Sequence, residues 1–485
     1  MNKVRKKWEG LSDAKKSALA YMVAGYIHYA ISFLVTPIFS RLLSTAEFGL
    51  VTTFNSWISM MGPIATLTLY SGFFNVGMLD YESRRDSFES SLIGLSWIST
   101  VLSMAIFAIV QAVSPELIDM PAHLTGLMAL YFLFYPSTRY WQARERFEYR
   151  YKKLFACAVA MALLTPISGL VFVFLSEGNL GSARLIGTNL VSVGFGVFFC
   201  TYIIRRGKKI FDKDIWKVAL KFCIPLIPHY LAMHILSASD KVMINSLVGA
   251  SEAGIYGMAY TASMAITTAW TAIQGSLSPF VLKHIRDENY DPINRVATLC
   301  IGGFSVLCIA VCVVAPEIIH ILGGTKYNES IMLIPPLIAS VLFMEMYNLF
   351  SMVEFYHKKT TAIMFATIAA ALLNVLLNVI FIRIFGYRAA AYTTLVCYMA
   401  YCLFHYINMK KIDPHKIYNT NILLGISVVY LIACFCCLLL YNHPIARYSV
   451  VVVFLIFGIW QRKRITSFVK NLLSMRGNKG QVNES

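Results

Sequence analysis

Long apolar stretches alternate with short polar segments along this chain. Fourteen of the stretches are long enough to cross a bilayer as a helix, which takes about 20 residues. They cover residues 17–40, 48–73, 92–113, 124–144, 154–175, 183–204, 222–248, 255–281, 296–315, 331–353, 361–384, 389–407, 422–440 and 446–460. Backbone polar groups in lipid need internal partners, so these stretches must be helices. The pattern predicts an all-α, polytopic membrane protein with 14 transmembrane helices.

Composition agrees with this prediction. Hydrophobic residues make up 58% of the chain and charged residues only 14%, whereas an ordinary soluble domain is about one quarter charged. The net charge of +17 could indicate a nucleic-acid partner. The basic residues, however, lie in short clusters between apolar stretches and not along one face. We therefore expect membrane lipids as the surroundings and no nucleic acid as a partner.

The distribution of Lys and Arg sets the orientation, because cytoplasmic loops carry an excess of both. The loops on one side hold 34 of these residues and the loops on the other side hold 6, while Arg139 and Lys241 fall inside spans. Both termini are thus predicted to be cytoplasmic, in a cell (inner or plasma) membrane. The charged segment before the first span does not resemble a cleaved signal peptide. The basic tail is expected to lie near anionic headgroups.

Two parts of the chain match each other at an offset of 205 or 206 residues; the matches pair 45–49 with 250–254, 148–153 with 354–359, and 188–191 with 393–396. Internal duplication in a membrane chain is a signature of transporters. We predict two pseudo-symmetric six-helix lobes, followed by two further helices. The predicted boundaries are a cytoplasmic segment at 1–16, lobes at 17–210 and 211–415, helices 13 and 14 at 416–460, and a cytoplasmic tail at 461–485.

Enzyme chemistry finds little support in the sequence. No loop is long enough for a catalytic domain, and no zinc-protease motif, phosphate loop or nucleophile elbow occurs. A polytopic glycan polymerase would not predict the duplicated lobes. All 11 cysteines lie in or beside apolar spans without partners at metal-ligand spacing, so they are expected to be packing residues. We predict a protein that is not an enzyme and has no cofactor, metal or disulfide.

Three groups of short motifs, in this order and spacing, resemble the Wzx-type polysaccharide flippases of the multidrug/oligosaccharidyl-lipid/polysaccharide exporter superfamily. The groups are Thr36-Pro37 with residues 41–43 and 47–49; residues 224–228 with Asp240-Lys241 and residues 253–256; and residues 374–378 with Gly386 and residues 389–391. The resemblance implies a MATE-like, V-shaped pair of lobes that works by alternating access. It also implies a glycan on polyprenyl diphosphate as substrate, flipped to the outer leaflet for O-antigen, capsule or exopolysaccharide assembly, with the polysaccharide polymerase or other assembly proteins as partners.

Charge inside the first six spans bears on the substrate. Their apolar cores contain Arg139 and His28, with Arg41 at the outer end of the first span, and no Asp or Glu. Exporters of organic cations in this superfamily resemble antiporters that use a carboxylate in the first lobe. A basic cavity suits an anionic diphosphate better than a cation. A cation or drug antiporter and a peptidoglycan lipid-precursor flippase remain the alternatives, although several arginines on the first two spans would favour the latter and only Arg41 is there.

Arg139 and Glu345 occupy equivalent positions in the repeat, 206 residues apart. Opposite charges there predict a role in the cavity or an inter-lobe salt bridge. The alternative is that Arg139 snorkels to the cytoplasmic surface and Glu345 bonds to a neighbouring polar helix. Asp240 and Lys241 are adjacent and point about 100° apart on a helix. Lys241 is a candidate for binding the substrate anion and Asp240 for holding a neighbouring helix, unless Lys241 snorkels outward.

His28 and His234 also lie 206 residues apart, and a titrating pair would report proton coupling. Hydrogen bonding within the bundle is the alternative for both. Pro37, Pro225 and Pro228 are candidate hinges, since proline bends helices, or simple packing kinks. Arg41 is a candidate for substrate release or for interfacial anchoring. His229 is a weaker candidate for the same titrating role as His28 and His234. Asn374 and Asn378, spaced i and i+4, predict interhelical hydrogen bonds.

Overall fold

The computed structural model describes residues 12–462 and residue 466, and this part of the chain contains helices and no strands. Its α-helices are α1 (Asp13–Leu42), α2 (Thr45–Ala65), α3 (Phe73–Asp80), α4 (Arg85–Val113), α5 (Ala122–Phe147), α6 (Tyr151–Leu175), α7 (Leu180–Gly207), α8 (Lys213–Cys223), α9 (Ile227–Leu247), α10 (Ala250–Met264), α11 (Thr267–Arg286), α12 (Asp291–Val313), α13 (Ala315–Leu322), α14 (Ile334–Tyr356), α15 (Thr360–Phe385), α16 (Ala389–Ile412), α17 (Thr420–Leu440) and α18 (Pro444–Trp460). Short 3₁₀ segments cover Glu82–Arg84, Ile224–Leu226 and Thr325–Leu333. The predicted all-α class is confirmed.

Ten helical segments of the described part are long and apolar enough to cross a membrane, which is consistent with the predicted 14. The four other predicted spans are not among these ten segments, and each case has an identifiable reason. The second span is helical only as far as Ala65, because residues 66–72 are irregular and α3 begins at Phe73. The eighth is divided into two helices, α10 and α11. The fourth, α5, carries several charged residues towards its end, and the last, α18, is only 17 residues long.

The chain divides into two compact units, Met1–Gly254 and Ile255–Ser485. The first unit contains α8 and α9 because α8 packs against α4 and α9 packs against α2. These two helices belong to the second lobe of the sequence repeat, whose boundary at residue 211 stays a prediction. In the second unit α14 packs against α12, α16 and α17. There the Tyr430 hydroxyl donates to the Ile338 carbonyl at 2.6 Å and the Tyr418 hydroxyl to the Leu349 carbonyl at 3.0 Å.

The second span breaks after Ala65. Leu67 and Thr68 both adopt the left-handed conformation, with φ of 50° and 53°, which non-glycine residues rarely do. A broken helix leaves carbonyls without intrahelical partners. Three hydroxyls donate to carbonyls at the end of α2: Thr66 to Gly62 at 2.8 Å, Ser99 of α4 to Ile64 at 2.8 Å, and Thr100 of α4 to Ala65 at 3.1 Å. The Gly62 and Ile64 carbonyls also accept backbone N–H groups, from Thr66 at 3.0 Å and from Leu67 at 3.4 Å. The break is thereby built into the packing of α2 on α4.

The candidate hinge prolines have different settings. Pro37 lies inside the continuous helix α1. Pro225 lies in the 3₁₀ segment between α8 and α9, and Pro228 lies in the first turn of α9, where a missing N–H group costs nothing. The seventh span is therefore a broken helix at these two prolines. Whether any of the three acts as a hinge stays a prediction.

A buried ionic cluster joins the ends of α4, α5 and α7. Arg144 of α5 donates to Asp86 at 2.5 Å and to Glu89 at 2.9 Å, both on α4. Arg206 of α7 pairs with Asp86 at 3.0 Å and also with Glu89. Glu89 is fully buried, and a buried charge is tolerable only when it is paired and hydrogen-bonded. The cluster fixes the predicted cytoplasmic ends of three helices relative to one another.

Polar side chains also join helices in the second unit. Asn378 of α15 accepts a hydrogen bond from the Thr393 hydroxyl of α16, and it donates to Asn374 at 3.2 Å, which confirms the predicted interhelical bonding. Glu354 of α14 accepts from Asn408 at 2.9 Å and lies 2.8 Å from Nδ1 of the buried His405. Arg447 of α18 pairs with Glu317 of α13 at 2.6 Å.

Arg144→Ala tests the ionic cluster. It leaves the buried Glu89 with Arg206 alone, and removing one partner of a buried ion pair costs about 3–5 kcal/mol. We expect a clearly lower thermal unfolding midpoint of the detergent-purified protein, measured by size exclusion after heating. Arg286→Ala is the control, because Arg286 is mostly exposed and its partner Asp287 is also exposed. Equal midpoints for the two variants would contradict a stabilising role for the cluster.

Candidate functional site

A cavity of about 230 Å³ opens in the first unit beside the break in the second span. Three elements line it. The end of α2 and the irregular segment after it contribute Thr66 and Tyr70, α5 contributes Tyr131, Tyr135 and Arg139, and α9 contributes Tyr230 and His234. Irregular backbone at membrane depth occurs where it lines a cavity or is buried in protein. The break in the second span therefore has a structural reason: it forms part of this wall.

Three residues of α5 reach the cavity because they follow one another at intervals of four. Tyr131, Tyr135 and Arg139 consequently lie on one face of the helix. The rings of Tyr131 and Tyr135 stack with centroids 4.7 Å apart. The Arg139 guanidinium carbon lies 5.4 Å from the centroid of the Tyr135 ring. The result is a cationic group placed against aromatic faces, an arrangement that is favourable for arginine.

The Arg139 guanidinium has unused donor capacity. Its Nε atom is buried and has no hydrogen-bond partner among the described residues. Of the described side chains that line the cavity, none is a carboxylate. Arginine presents five donors in a fork that matches phosphate and carboxylate groups. The cavity therefore has the chemistry of an anion site with tyrosine hydroxyls and rings around it.

The structure brings together two of the predicted site residues, Arg139 and His234, in this one cavity. His28 on α1 lies within electrostatic range of Arg139 but is not among the described lining residues. Arg41 is exposed and donates to the Pro37 carbonyl of its own helix at 2.9 Å, which suits anchoring at the helix end. His229 is the residue before Tyr230, and the two rings lie 5.6 Å apart.

Lys241 lies seven residues beyond His234, about 10 Å along the same face of α9. It is 7% exposed, and its amine donates to the Ser237 carbonyl at 2.8 Å. The side chain is thus buried and does not snorkel to the surface. Asp240 is fully buried beside it. Glu345 lies in the second unit, where it accepts a hydrogen bond from Asn348 at 3.0 Å, and its pairing with Arg139 stays a prediction.

The tyrosines and the irregular wall were missed by the sequence prediction. The i, i+4, i+8 spacing of Tyr131, Tyr135 and Arg139 is a signal that could have found the first two. Tyr70 belongs to a segment predicted as continuous helix. Tyr230 lies four residues before the predicted His234 on the same helix, which is a signal of the same kind. Glu89 and Glu145 are also buried carboxylates of the first unit. Both lie at helix ends, away from this cavity's described lining.

Two segments that match each other in the sequence repeat are in contact in the first unit. Residues 45–49 begin α2, and residues 250–254 begin α10. The hydroxyls of Thr45 and Ser251 are 2.7 Å apart. A Cβ atom on Gly49 would overlap the Ala250 carbonyl, and one on Gly254 would overlap the Thr45 carbonyl. Only glycine allows the two backbones this approach, so we name residues 45–49 and 250–254 the glycine clasp.

The glycine clasp lies at the predicted outward end of these helices. Asn245 at the end of α9 adds a second contact there, since its amide donates to the Asp119 carbonyl at 3.2 Å. Asp119 belongs to the segment between α4 and α5. The residues at and after the end of the first span of the second repeat therefore pack against residues of the first repeat at this end of the first unit.

Comparison with known proteins places this geometry in a family. A family model described as "Polysaccharide biosynthesis protein" matches residues 38–332, which is more than half of the chain. No curated protein sequence matches the chain.

Solved structures with the same fold are transporters. The Lipid II flippase MurJ in an inward closed conformation is similar with a TM-score of 0.64 and 17% identity, over 92% of this chain and 99% of that one. A multidrug resistance MATE family transporter of the MOP superfamily, in an inward-facing conformation, has a TM-score of 0.55 and 14% identity, over 81% and 96%. A Vibrio cholerae MATE transporter has a TM-score of 0.51 and 13% identity, over 82% and 96%.

The structural similarity to these proteins shows the fold of the chain. The match to the family model shows its family. The chain therefore belongs to the polysaccharide biosynthesis protein family and has the fold of transporters of the multidrug/oligosaccharidyl-lipid/polysaccharide exporter superfamily, as its sequence motifs predict.

Proposed function

We propose that this protein is a flippase that moves a polyprenyl-diphosphate-linked oligosaccharide from the cytoplasmic to the outer leaflet by alternating access. The observation that carries the proposal is the buried Arg139 guanidinium, which has an unused donor and faces a cavity whose described lining contains no carboxylate. Membership of a polysaccharide biosynthesis family supports a glycan as the cargo. The transporter fold supports movement and not catalysis.

The cavity suits part of such a substrate. Its volume of about 230 Å³ equals that of roughly eight water molecules at about 30 Å³ each. A diphosphate, or one sugar ring, is of this size, while an oligosaccharide is much larger. We infer that the diphosphate binds at Arg139, where tyrosine hydroxyls can donate to its oxygens. Tyrosine rings also offer apolar faces to a sugar.

Direction follows from charge. With a membrane potential of about 100 mV, inside negative, each negative charge moved outward gains about 2.3 kcal/mol. Transport of an anionic lipid to the outer leaflet is electrically downhill, and the sequence does not require a coupling ion. His28 and His234 stay candidates for proton coupling.

A cation antiporter is the second candidate, favoured by the likeness to MATE family transporters. Such a function calls for an acidic cavity. The buried carboxylate of Glu89 and the partly exposed carboxylate of Asp86 are both paired with Arg144 and Arg206. That pairing argues for the lipid-linked anion. A flippase for a peptidoglycan lipid precursor is supported by the likeness to MurJ, while Arg41 as the sole arginine of residues 17–73 argues for a different glycan.

Arg139→Ala tests the anion site. A charge-assisted hydrogen bond is worth about 1.5–3 kcal/mol, so we expect flipping to fall about 10- to 100-fold. The measurement is the amount of lipid-linked glycan that accumulates in cells in which the variant replaces the wild type. Arg139→Lys keeps the charge without the planar fork and should retain intermediate activity.

Arg146→Ala is the matched control for Arg139→Ala, because Arg146 lies on the same helix and is not among the described lining residues of the cavity. Membrane-inserted protein is quantified for every variant, so that loss of protein is separated from loss of flipping. Wild-type flipping by Arg139→Ala at a normal protein level would remove Arg139 from the mechanism.

The glycine clasp tests alternating access. The hydroxyls of Thr45 and Ser251 are 2.7 Å apart, so cysteines at both positions lie within disulfide reach. We expect the double variant Thr45→Cys/Ser251→Cys to cross-link on oxidation and to stop flipping, because the outward end cannot open. Reduction should restore flipping.

The single variants Thr45→Cys and Ser251→Cys are the controls for the clasp, since each should flip under oxidising and reducing conditions alike. The cross-link is scored by the mobility of the full chain on a gel without reductant. A fully cross-linked double variant that flips at the wild-type rate would contradict opening at this end.

A further inference from the structure

A groove of about 680 Å³ runs between α6 and α7 in the first unit. It is lined by apolar residues at helical spacing, Leu164, Ile167 and Val171 from α6 and Val191, Phe195 and Phe198 from α7. Gly194 also lines it, and a Cβ atom at Gly194 would meet nothing within 4 Å. In a membrane-spanning chain such an apolar hollow is in contact with lipid chains.

The groove continues along α7 towards its predicted cytoplasmic end. A second hollow of about 560 Å³ shares Phe198 and is lined by Thr201, Tyr202, Arg205 and Arg206. Val191, Phe195, Phe198, Tyr202 and Arg205 follow at intervals of three or four and form one stripe on α7. The 15 residues from Val191 to Arg205 rise about 21 Å, which is close to the depth of one leaflet, since a bilayer with its headgroup regions is about 40–45 Å thick.

Basic residues lie at the predicted cytoplasmic end of the stripe, and some of them are paired with carboxylates while others are not. Arg206 is neutralised by Asp86 and Glu89. Arg205 is exposed, and among the described residues no carboxylate pairs with it. Lys208, one turn further, is also exposed, while Lys209 pairs with Asp212 at 2.7 Å, a bond that helps to hold the pKa of Asp212 below its usual value. Arg205 and Lys208 are thus the charges left for a ligand at the mouth of the groove.

The groove and the helix α5 lie on opposite sides of α7, and no residue of α7 is among the described lining residues of the Arg139 cavity. Gly196 packs against α5, where an added Cβ would lie 2.8 Å from the nitrogen of Tyr135. Gly196 points about 160° away from Phe198 and Gly194 on the helix, since successive residues turn by about 100°. Tyr135 lines the Arg139 cavity. The groove is therefore not the path of the group bound at Arg139.

We propose that the groove between α6 and α7 is a binding site for an anionic phospholipid of the cytoplasmic leaflet. An acyl chain lies along Phe195 and Phe198, and the phosphate lies at Arg205, with the Tyr202 hydroxyl as a further donor. Apolar lining over the depth of one leaflet, followed by an unpaired guanidinium, matches the layout of such a lipid. The site is independent of the transported substrate and holds whether or not the proposed function does.

Native mass spectrometry of the purified full chain tests the site with defined lipids. Phosphatidylglycerol should be retained in preference to phosphatidylcholine of the same acyl chains. Arg205→Gln should lower the retention of phosphatidylglycerol about fivefold, because one basic residue at a membrane surface contributes about 1 kcal/mol. Gly194→Phe fills the apolar part of the groove and should reduce the retention of both lipids.

Arg286→Gln is the matched control, since Arg286 ends another helix, is mostly exposed and pairs with Asp287. Its lipid retention should equal that of the wild type. Equal retention of the two lipids by the wild type, or unchanged retention in Arg205→Gln, would overturn the proposal. Retention of a polyprenyl diphosphate in place of phosphatidylglycerol would overturn it too, and would assign the groove to the substrate's chain.

Discussion

The fold depends on one constraint, that every backbone polar group at membrane depth must find a partner within the protein. Most of the chain meets it with unbroken helices. The second span does not, and three hydroxyls, from Thr66, Ser99 and Thr100, donate to carbonyls beside its break. The irregular segment that follows lines a cavity and not lipid. The break in the helix, the polar contacts that support it and the candidate site are therefore one structural feature.

The charged residues of the first unit fall into two groups, one that joins helix ends and one that faces the cavity. Acidic groups and two arginines neutralise each other in the cluster around Glu89, where they hold three helix ends together. Arg139 faces the cavity with aromatic rings beside it and an unused donor. A fixed positive charge in a site of low dielectric stabilises an anion more than it does in water. The same charge disfavours a cation, which is why the cavity chemistry ranks an anionic cargo above a cationic one.

The all-α class and the membrane-spanning helices could be predicted because hydropathy is a local property of the sequence. Arg139 and His234 could be named for the same reason, as rare ionisable residues in apolar spans. The break after Ala65 could not, since apolar residues continue through it and no glycine marks the left-handed turn at Leu67 and Thr68. The contact of Gly49 with Gly254 could not be predicted from the sequence either. The repeat predicts that the two motifs are equivalent, and only the close approach of residues 45–49 to residues 250–254 makes them touch.

The central claim, that a lipid-linked oligosaccharide is moved between leaflets, is tested most directly in cells depleted of this protein. Polyprenyl-linked glycans are analysed by mass spectrometry, together with a probe that reports which leaflet holds them. Our account predicts that one completed oligosaccharide lipid builds up on the cytoplasmic leaflet. An unchanged lipid pool, accompanied by altered sensitivity to organic cations, would contradict it and would favour the cation antiporter.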